Sequence, residues 1–198
     1  MTFPFQQRLL LLAAAMLLPS TGFAQIPTFQ VVTADSQVNF KVDASVSIAG
    51  VFEKWTSTLR FTTPYVESGV LDIVVDAASV DAGSSFKERK LKGSDFFDVK
   101  HNPEITFQSK KIVQTAPDSY AVIGDFTIRG MTNEETLTVT YSPDRPDEGR
   151  VRGTMVFDRK QYGMTRGIPL IKIADRVEVV VDLKIHRTSG PRPIQKVP

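Results

Sequence analysis

The sequence predicts an all-β fold with one short helical insertion, built as an extended antiparallel barrel of about eight strands. Three observations carry this expectation. Beyond residue 24, apolar and polar residues alternate with period two over most of the chain, the pattern of half-buried strands. Each such run has a single apolar face, and clusters of turn-forming residues separate the runs. Only one segment departs towards helical spacing.

The elements follow in chain order. "MTFPFQQRLLLLAAAMLLPSTGFA" holds one early cation (Arg8), an apolar run from Leu9 to Leu18, then Pro19 and the small residues Gly22 and Ala24. That is the order of a secretory signal peptide, with cleavage expected after Ala24. The apolar run is well short of the roughly 20 residues that cross a bilayer. In "SQVNFKVDA", Val38, Phe40 and Val42 share one face. In "VFEKWTSTLRF", Val51, Trp55, Leu59 and Phe61 fall together, but Glu53 and Phe52 sit on the wrong sides, so a bulge or strand end is expected there. "GVLDIVVDAASV" alternates Leu71, Ile73 and Val75 against Asp72 and Asp76. The later strands are "EITFQSKKIV", "SYAVIGDFTIRG", "ETLTVTY", "RVRGTMVFD" and "DRVEVVVDLKIHR".

Turns are expected at Ser68-Gly69, Pro117-Asp118, Arg129-Gly130, Pro143 to Gly149 and Gly167 to Pro169. The helical exception is "SSFKERKLKGSDFFDV", Ser84 to Val99. Phe86, Lys90 and Leu91 have helical spacing there, Ser84 or Ser85 is the N-cap, and Gly93 divides a helix of two or three turns from a short second turn. The tail from Thr188 is Pro-rich and without periodicity, hence expected to be disordered. The chain thus divides into a signal peptide (1–24), a barrel domain (25–188) and a tail (189–198).

Composition removes several functions. Without Arg8 the chain carries 23 basic and 22 acidic residues, a balance with no concentrated basic face for nucleic acid. There is no cysteine, which excludes disulfides, thiol nucleophiles and cysteine-held iron. Asp95, Asp98 and His101 have i, i+3, i+6 spacing that could ligate a metal on a helix. Asn102-Pro103 takes the chain out of helix, and the only other histidine, His186, lies on the last strand, so no metal site is assigned. No "G-x-S-x-G" elbow exists, and Asp72 and Asp76 fall on the solvent face. No catalytic residue is assigned.

At this point a family becomes recognisable. "LKGSDFFDVKHNPEITFQSKKI" followed by "YAVIGDFTIRGMTNEETLTV" resembles the signature of the YceI-like periplasmic proteins. Phe126 stands where leucine is frequent and Met131 where valine is. "ADSQVNF", "GVFEKWTSTLRF" and the closing "IADRVEVVVDLKIHR" are similar to the family's outer segments, and the resemblance covers roughly Phe29 to Arg187. Two departures stand out: "VDASVSIAG" lacks the histidine common there, and the "R-x-d-f-G" element appears as "DRKQYGM", with Tyr162 in the aromatic position.

The resemblance implies a lipocalin-like barrel holding a polyisoprenoid quinone or polyprenyl phosphate in one apolar tunnel, in the periplasm, with no cofactor besides that lipid. The expected tunnel and lid residues are Phe40, Trp55, Phe61, Ile73, Phe86, Leu91, Phe96, Phe97, Phe107, Phe126, Met155, Phe157 and Val179. Phe96 and Phe97 read equally as plain core capping one barrel end. Headgroup candidates are Arg159, Lys160, Tyr162 and Arg166, which read also as surface cations and an ordinary aromatic. Partners expected are the lipid or quinone, not nucleic acid; a transient inner-membrane contact and a homodimer are both compatible with the sequence. The rival class is an interaction or stress-response module with a packed barrel; a hydrolase is the third.

Overall fold

The computed structural model describes residues 25–45, 48–167 and 171–195; the expected signal peptide lies outside them. Ten antiparallel strands form one sheet: β1 (Thr28–Ala44), β2 (Ile48–Phe52), β3 (Trp55–Phe61), β4 (Gly69–Asp76), β5 (Val80–Asp81), β6 (Glu104–Ala116), β7 (Ser119–Ile128), β8 (Met131–Arg145), β9 (Glu148–Asp158) and β10 (Ile173–Ser189). Among the described residues one α-helix, α1 (Ser85–Lys92), lies between β5 and β6. The hydrogen-bonded order is β3-β4-β6-β7-β8-β9-β10-β1-β2-β5. The sheet curls until its edge strand β3 lies beside β1, and among the described residues no ladder joins these two strands.

Ten strands rather than eight arise because two expected strands each break once. The run from Ile48 to Phe61 is interrupted at Glu53 and Lys54, whose N–H groups donate to the backbone carbonyl and Oγ of Ser79 at 3.2 and 3.0 Å. The break shifts the parity of the alternation, so Phe52 turns inward and is buried while Val51 is exposed. The run from Gly69 to Val80 is interrupted by a 3₁₀ turn at Ala77–Ser79, capped by the Asp76 side chain accepting from the Ala78 N–H at 2.9 Å. Burying Ser79 and fixing Glu53 and Lys54 on it is what turns both corners together.

The rest of the pattern holds. β7 alternates without fault, burying Tyr120, Val122, Gly124, Phe126 and Ile128. Arg129 and Gly130 both take positive φ, 58° and 71°, the two-residue turn whose twist suits a hairpin. The helix begins after Ser84 and ends at Gly93, as expected, with Leu91 its buried residue.

The insertion between β4 and β6 does more than connect. β5 crosses to pair with β2 at the opposite sheet edge, Phe52 opposite Val80, so the chain bridges the seam at that end of the barrel. At the other end the seam is covered by Phe29 against Phe61, ring centroids 5.6 Å apart.

Residues 189–198 were expected to form a disordered tail; 196–198 lie outside the described residues, and 189–195 lie against the barrel. Thr188 and Ser189 complete β10, and residues 190–195 return along the barrel end rather than leaving it. Ile194 exchanges backbone bonds with this end, its N–H to the Pro64 carbonyl at 2.7 Å and its carbonyl from the Val66 N–H at 3.1 Å. Gln195 Nε2 donates to Asp118 Oδ1 at 2.6 Å. A non-periodic segment is fixed here by partners far away in sequence, which composition does not report.

Candidate functional site

The barrel interior holds two cavities of similar size, about 250 and 260 Å³, which share no lining residue. The first lies at the end carrying α1, the second at the end carrying the C-terminal segment. One continuous tunnel was the expectation, and the difference has a local cause. Successive inward residues of one strand fall on opposite sides of a partition. Ile73, Leu137 and Val181 line the first cavity, whereas Leu71, Val139 and Leu183 line the second.

Two glycines build that partition. A Cβ on Gly153 would meet the Leu137 side chain at 2.9 Å, and one on Gly124 would meet the Phe107 ring at 2.9 Å and the Gln108 carbonyl at 2.5 Å. Large side chains of neighbouring strands therefore lie across bare backbone, at the level where β6 shifts register between Ser109 and Lys111. Side chains that meet in this way pack closely, and the interior is narrowed at this level into two chambers without a lining residue in common.

Of the residues expected in a tunnel, Phe40, Ile73, Phe86, Leu91, Phe96, Phe97, Phe107, Phe126, Met155, Phe157 and Val179 line the first cavity together. Phe61 lines the second instead. Trp55 lines neither; it is half-buried on the edge strand β3, opposite Val75. It keeps the parity of Leu59 and Phe61 on β3, and the break before it separates that set from Val51 instead. The same break hid Phe52, whose inward turn makes it a lining residue. Phe40, Phe52 and Phe97 form a mutual contact with centroids 5.6 to 5.9 Å apart, within the range of favourable aromatic pairs. Phe97 thus caps this end, while Phe86 is half exposed at the rim.

The four headgroup candidates are not brought to one rim. Arg159 lines the first cavity but is buried, and its guanidinium donates to the carbonyls of Ala174 (3.1 Å), Arg166 (2.9 Å) and Met164, and to Asp175 Oδ1 (3.0 Å). Its donors pin the segment after residue 163. Lys160 pairs with Asp175 at 2.7 Å, and with Arg159 holds that carboxyl below its ordinary range. Arg166 is exposed and pairs with Asp95 at 3.5 Å. Tyr162 is wholly buried against Phe126 and Phe157, centroids 5.4 and 5.1 Å away. Its hydroxyl donates to Glu135 Oε1 at 2.9 Å, and burial plus that bond raise its pKa far above the ordinary tyrosine value. Besides Arg159, the polar residues lining the first cavity are Ser84, Lys87 and Lys90 around α1, and Thr106.

The Asp95, Asp98 and His101 set is dispersed over other duties. Asp98, at φ 51°, accepts from His101 Nδ1 at 3.0 Å and from Asn102 Nδ2 at 3.3 Å, whereas Asp95 pairs with Arg166. Among the described residues, no three His, Asp or Glu side chains gather for a metal ion. The sequence placed Arg129 in a turn but gave no sign of its bridging role. Its guanidinium donates to the carbonyls of Gly163 (2.5 Å) and Ser94 (2.8 Å), tying the hairpin turn to the two loops beside the first cavity. No sequence signal marks it, because its partners are backbone atoms more than thirty residues away.

Comparison with known proteins agrees with this architecture. The family model described as the YceI-like domain matches residues 29–185. A UPF0312 protein of Vibrio parahaemolyticus is 28% identical over 132 residues, 66% of this chain and 70% of that one. A UPF0312 protein of Staphylococcus aureus is 31% identical over 114 residues, 54% of this chain and 58% of that one. Among solved structures, BcnA of Burkholderia cenocepacia superposes with a TM-score of 0.71 at 26% identity, covering 78% of this chain and 99% of its own. A polyisoprenoid binding domain from Saccharophagus degradans gives 0.64 at 12% identity, covering 81% and 99%; at that identity the likeness concerns the fold.

Proposed function

The chain belongs to the YceI-like family, and we propose that it is a periplasmic binding protein whose first cavity takes the tail of an amphiphilic isoprenoid lipid. The observation that carries this reading is the cavity itself: about 250 Å³, with walls almost entirely of Phe, Ile, Leu, Val and Met side chains. An apolar cavity of about 150 Å³ accepts one benzene ring, so this one suits a prenyl segment of about two isoprene units. At a yield of roughly 0.3 kcal/mol per heavy atom, ten carbons supply about 3 kcal/mol, and each further unit adds to that. The fold of the Saccharophagus polyisoprenoid binding domain is shared, which supports the ligand class.

The rim favours one headgroup. α1 carries Lys87, Arg89, Lys90 and Lys92 against Glu88, and Lys87 and Lys90 reach the cavity wall. That cationic collar suits a polyprenyl phosphate better than a neutral quinone. The reading requires no catalysis: the chain desolvates the tail and leaves the charged end at the mouth.

The test is lipid analysis of the chain recovered from its export compartment, with native mass spectrometry of the intact complex. One isoprenoid per chain is expected, and Met155→Trp, which fills the cavity, should remove it. A folded chain recovered empty, or carrying the same lipid after Met155→Trp, would sink the proposal.

A further inference from the structure

We propose that the second cavity is an independent binding site for a compact, neutral ring molecule bearing one carbonyl oxygen. It lies at the end closed by the C-terminal segment, and no residue of its wall touches the first cavity. Its volume, about 260 Å³, exceeds the roughly 150 Å³ that holds a benzene ring, leaving space for a ring with a short substituent or a fused pair of rings. Phe29, Phe61, Leu71, Ile112, Val139 and Leu183 make its apolar wall.

One side of this cavity is polar, and its chemistry selects the ligand. Tyr120 lines the cavity and is buried, yet its hydroxyl forms no hydrogen bond with the described residues. Burial, helped by Asp118 and Tyr141, pushes the phenol up to about 12, so at neutral pH it is a protonated donor lacking an acceptor. The hydroxyl belongs to a residue of the cavity wall, where a ligand carbonyl would accept from it. Asp118 also lines the site and penalises negative charge at the phenol, which disfavours a carboxylate or phosphate ligand. Its own carboxylate is engaged by Gln195 at 2.6 Å, while Arg192 on the same wall donates to the Pro146 carbonyl at 3.3 Å. Beside the phenol and Asp118, a neutral acceptor fits better than an anion.

The entrance is the segment that carries Arg192, Pro193 and Gln195. It is held across the end by the two backbone bonds of Ile194 and the Gln195–Asp118 bond. Such contacts open locally far more easily than a packed core, so a small ligand needs no disruption of the barrel.

Acetophenone is the probe: neutral, one ring, one carbonyl. Titrated into the full chain, it should bind with one saturable equivalent, and its carbonyl infrared band should shift to lower frequency. Tyr120→Phe, which removes only an unbonded hydroxyl, should abolish that shift and weaken binding about five- to tenfold, the worth of one hydrogen bond. Val139→Trp should fill the site, whereas Met155→Trp, in the other chamber, should leave acetophenone binding unchanged. Absence of saturable binding would overturn the proposal. So would binding that Met155→Trp removes, or a carbonyl shift that survives Tyr120→Phe.

Discussion

The two ends of this barrel are closed by opposite means. At the α1 end closure is by side-chain packing: Phe97 sits against Phe40 and Phe52, all three about 6% exposed. At the C-terminal end closure is by hydrogen bonds, with backbone bonds at Ile194 and an amide–carboxylate bond at Gln195, over the half-buried pair Phe29 and Phe61. The first mouth therefore excludes water by apolar area and lets a flexible hydrocarbon replace it like for like. The second leaves polar groups at its edge, so its occupant has to answer them. Equal volumes with different walls select different molecules.

The sharpest way to break this comparison is to truncate the aromatic at each end. Phe97→Ala should cost about 3–5 kcal/mol, the usual range for a buried phenylalanine. Phe61→Ala, at a half-buried position, should cost about half as much. Denaturant unfolding of both variants measures the pair, and equal losses would mean that the ends are closed alike. An effect between these two, about 3 kcal/mol, is expected for Leu137→Ala, which removes the side chain lying over Gly153. Its more telling consequence is that the chambers join: the variant should retain longer isoprenoids than the parent, read by mass spectrometry of extracted lipid. Unchanged chain length would place the partition elsewhere.

The smallest effect is alkaline. Tyr162 near the first end and Tyr120 at the second both ionise less readily in the fold than the ordinary value of 10.0 allows. The folded chain then holds protons that the unfolded chain has released. The stability tied to these phenols is fully present below pH 10 and is lost as pH rises through 12 and beyond. A decline on the order of 1 kcal/mol per phenol is expected in thermal unfolding between pH 10 and 12. Tyr120→Phe and Tyr162→Phe should each flatten that slope, and a slope unaltered in both would show the phenols to be ordinary.

Much of this molecule was legible in its sequence, because period-two alternation is local. A strand with one apolar face must bury it, so Phe40, Ile73, Phe107, Phe126, Met155 and Phe157 could be turned inward from their spacing alone. Ser84 and Gly93 marked the helix ends for the same local reason. Family resemblance from the hinge "SDFFDVKHNPEITF" and its following hairpin pointed to the fold, and the YceI-like match bears that out. Val51 and Phe52 were misplaced because one break in parity, fixed by distant Ser79, reverses the side chains on one side of it relative to the other.

What only the tertiary structure decided is how the interior is divided and who reaches its mouths. The partition depends on Leu137 finding Gly153 and Phe107 finding Gly124 across strand pairs, and neither meeting is written in the spacing of a single strand. Arg159 and Tyr162 looked like rim groups from a polar loop, yet carbonyls, Glu135 and two rings claim them. Ile194 and Gln195, in a stretch without any periodicity, are held by Pro64, Val66 and Asp118. Alternation fixes which face of a strand is wet, but contacts between strands far apart in the chain fix what that face encloses.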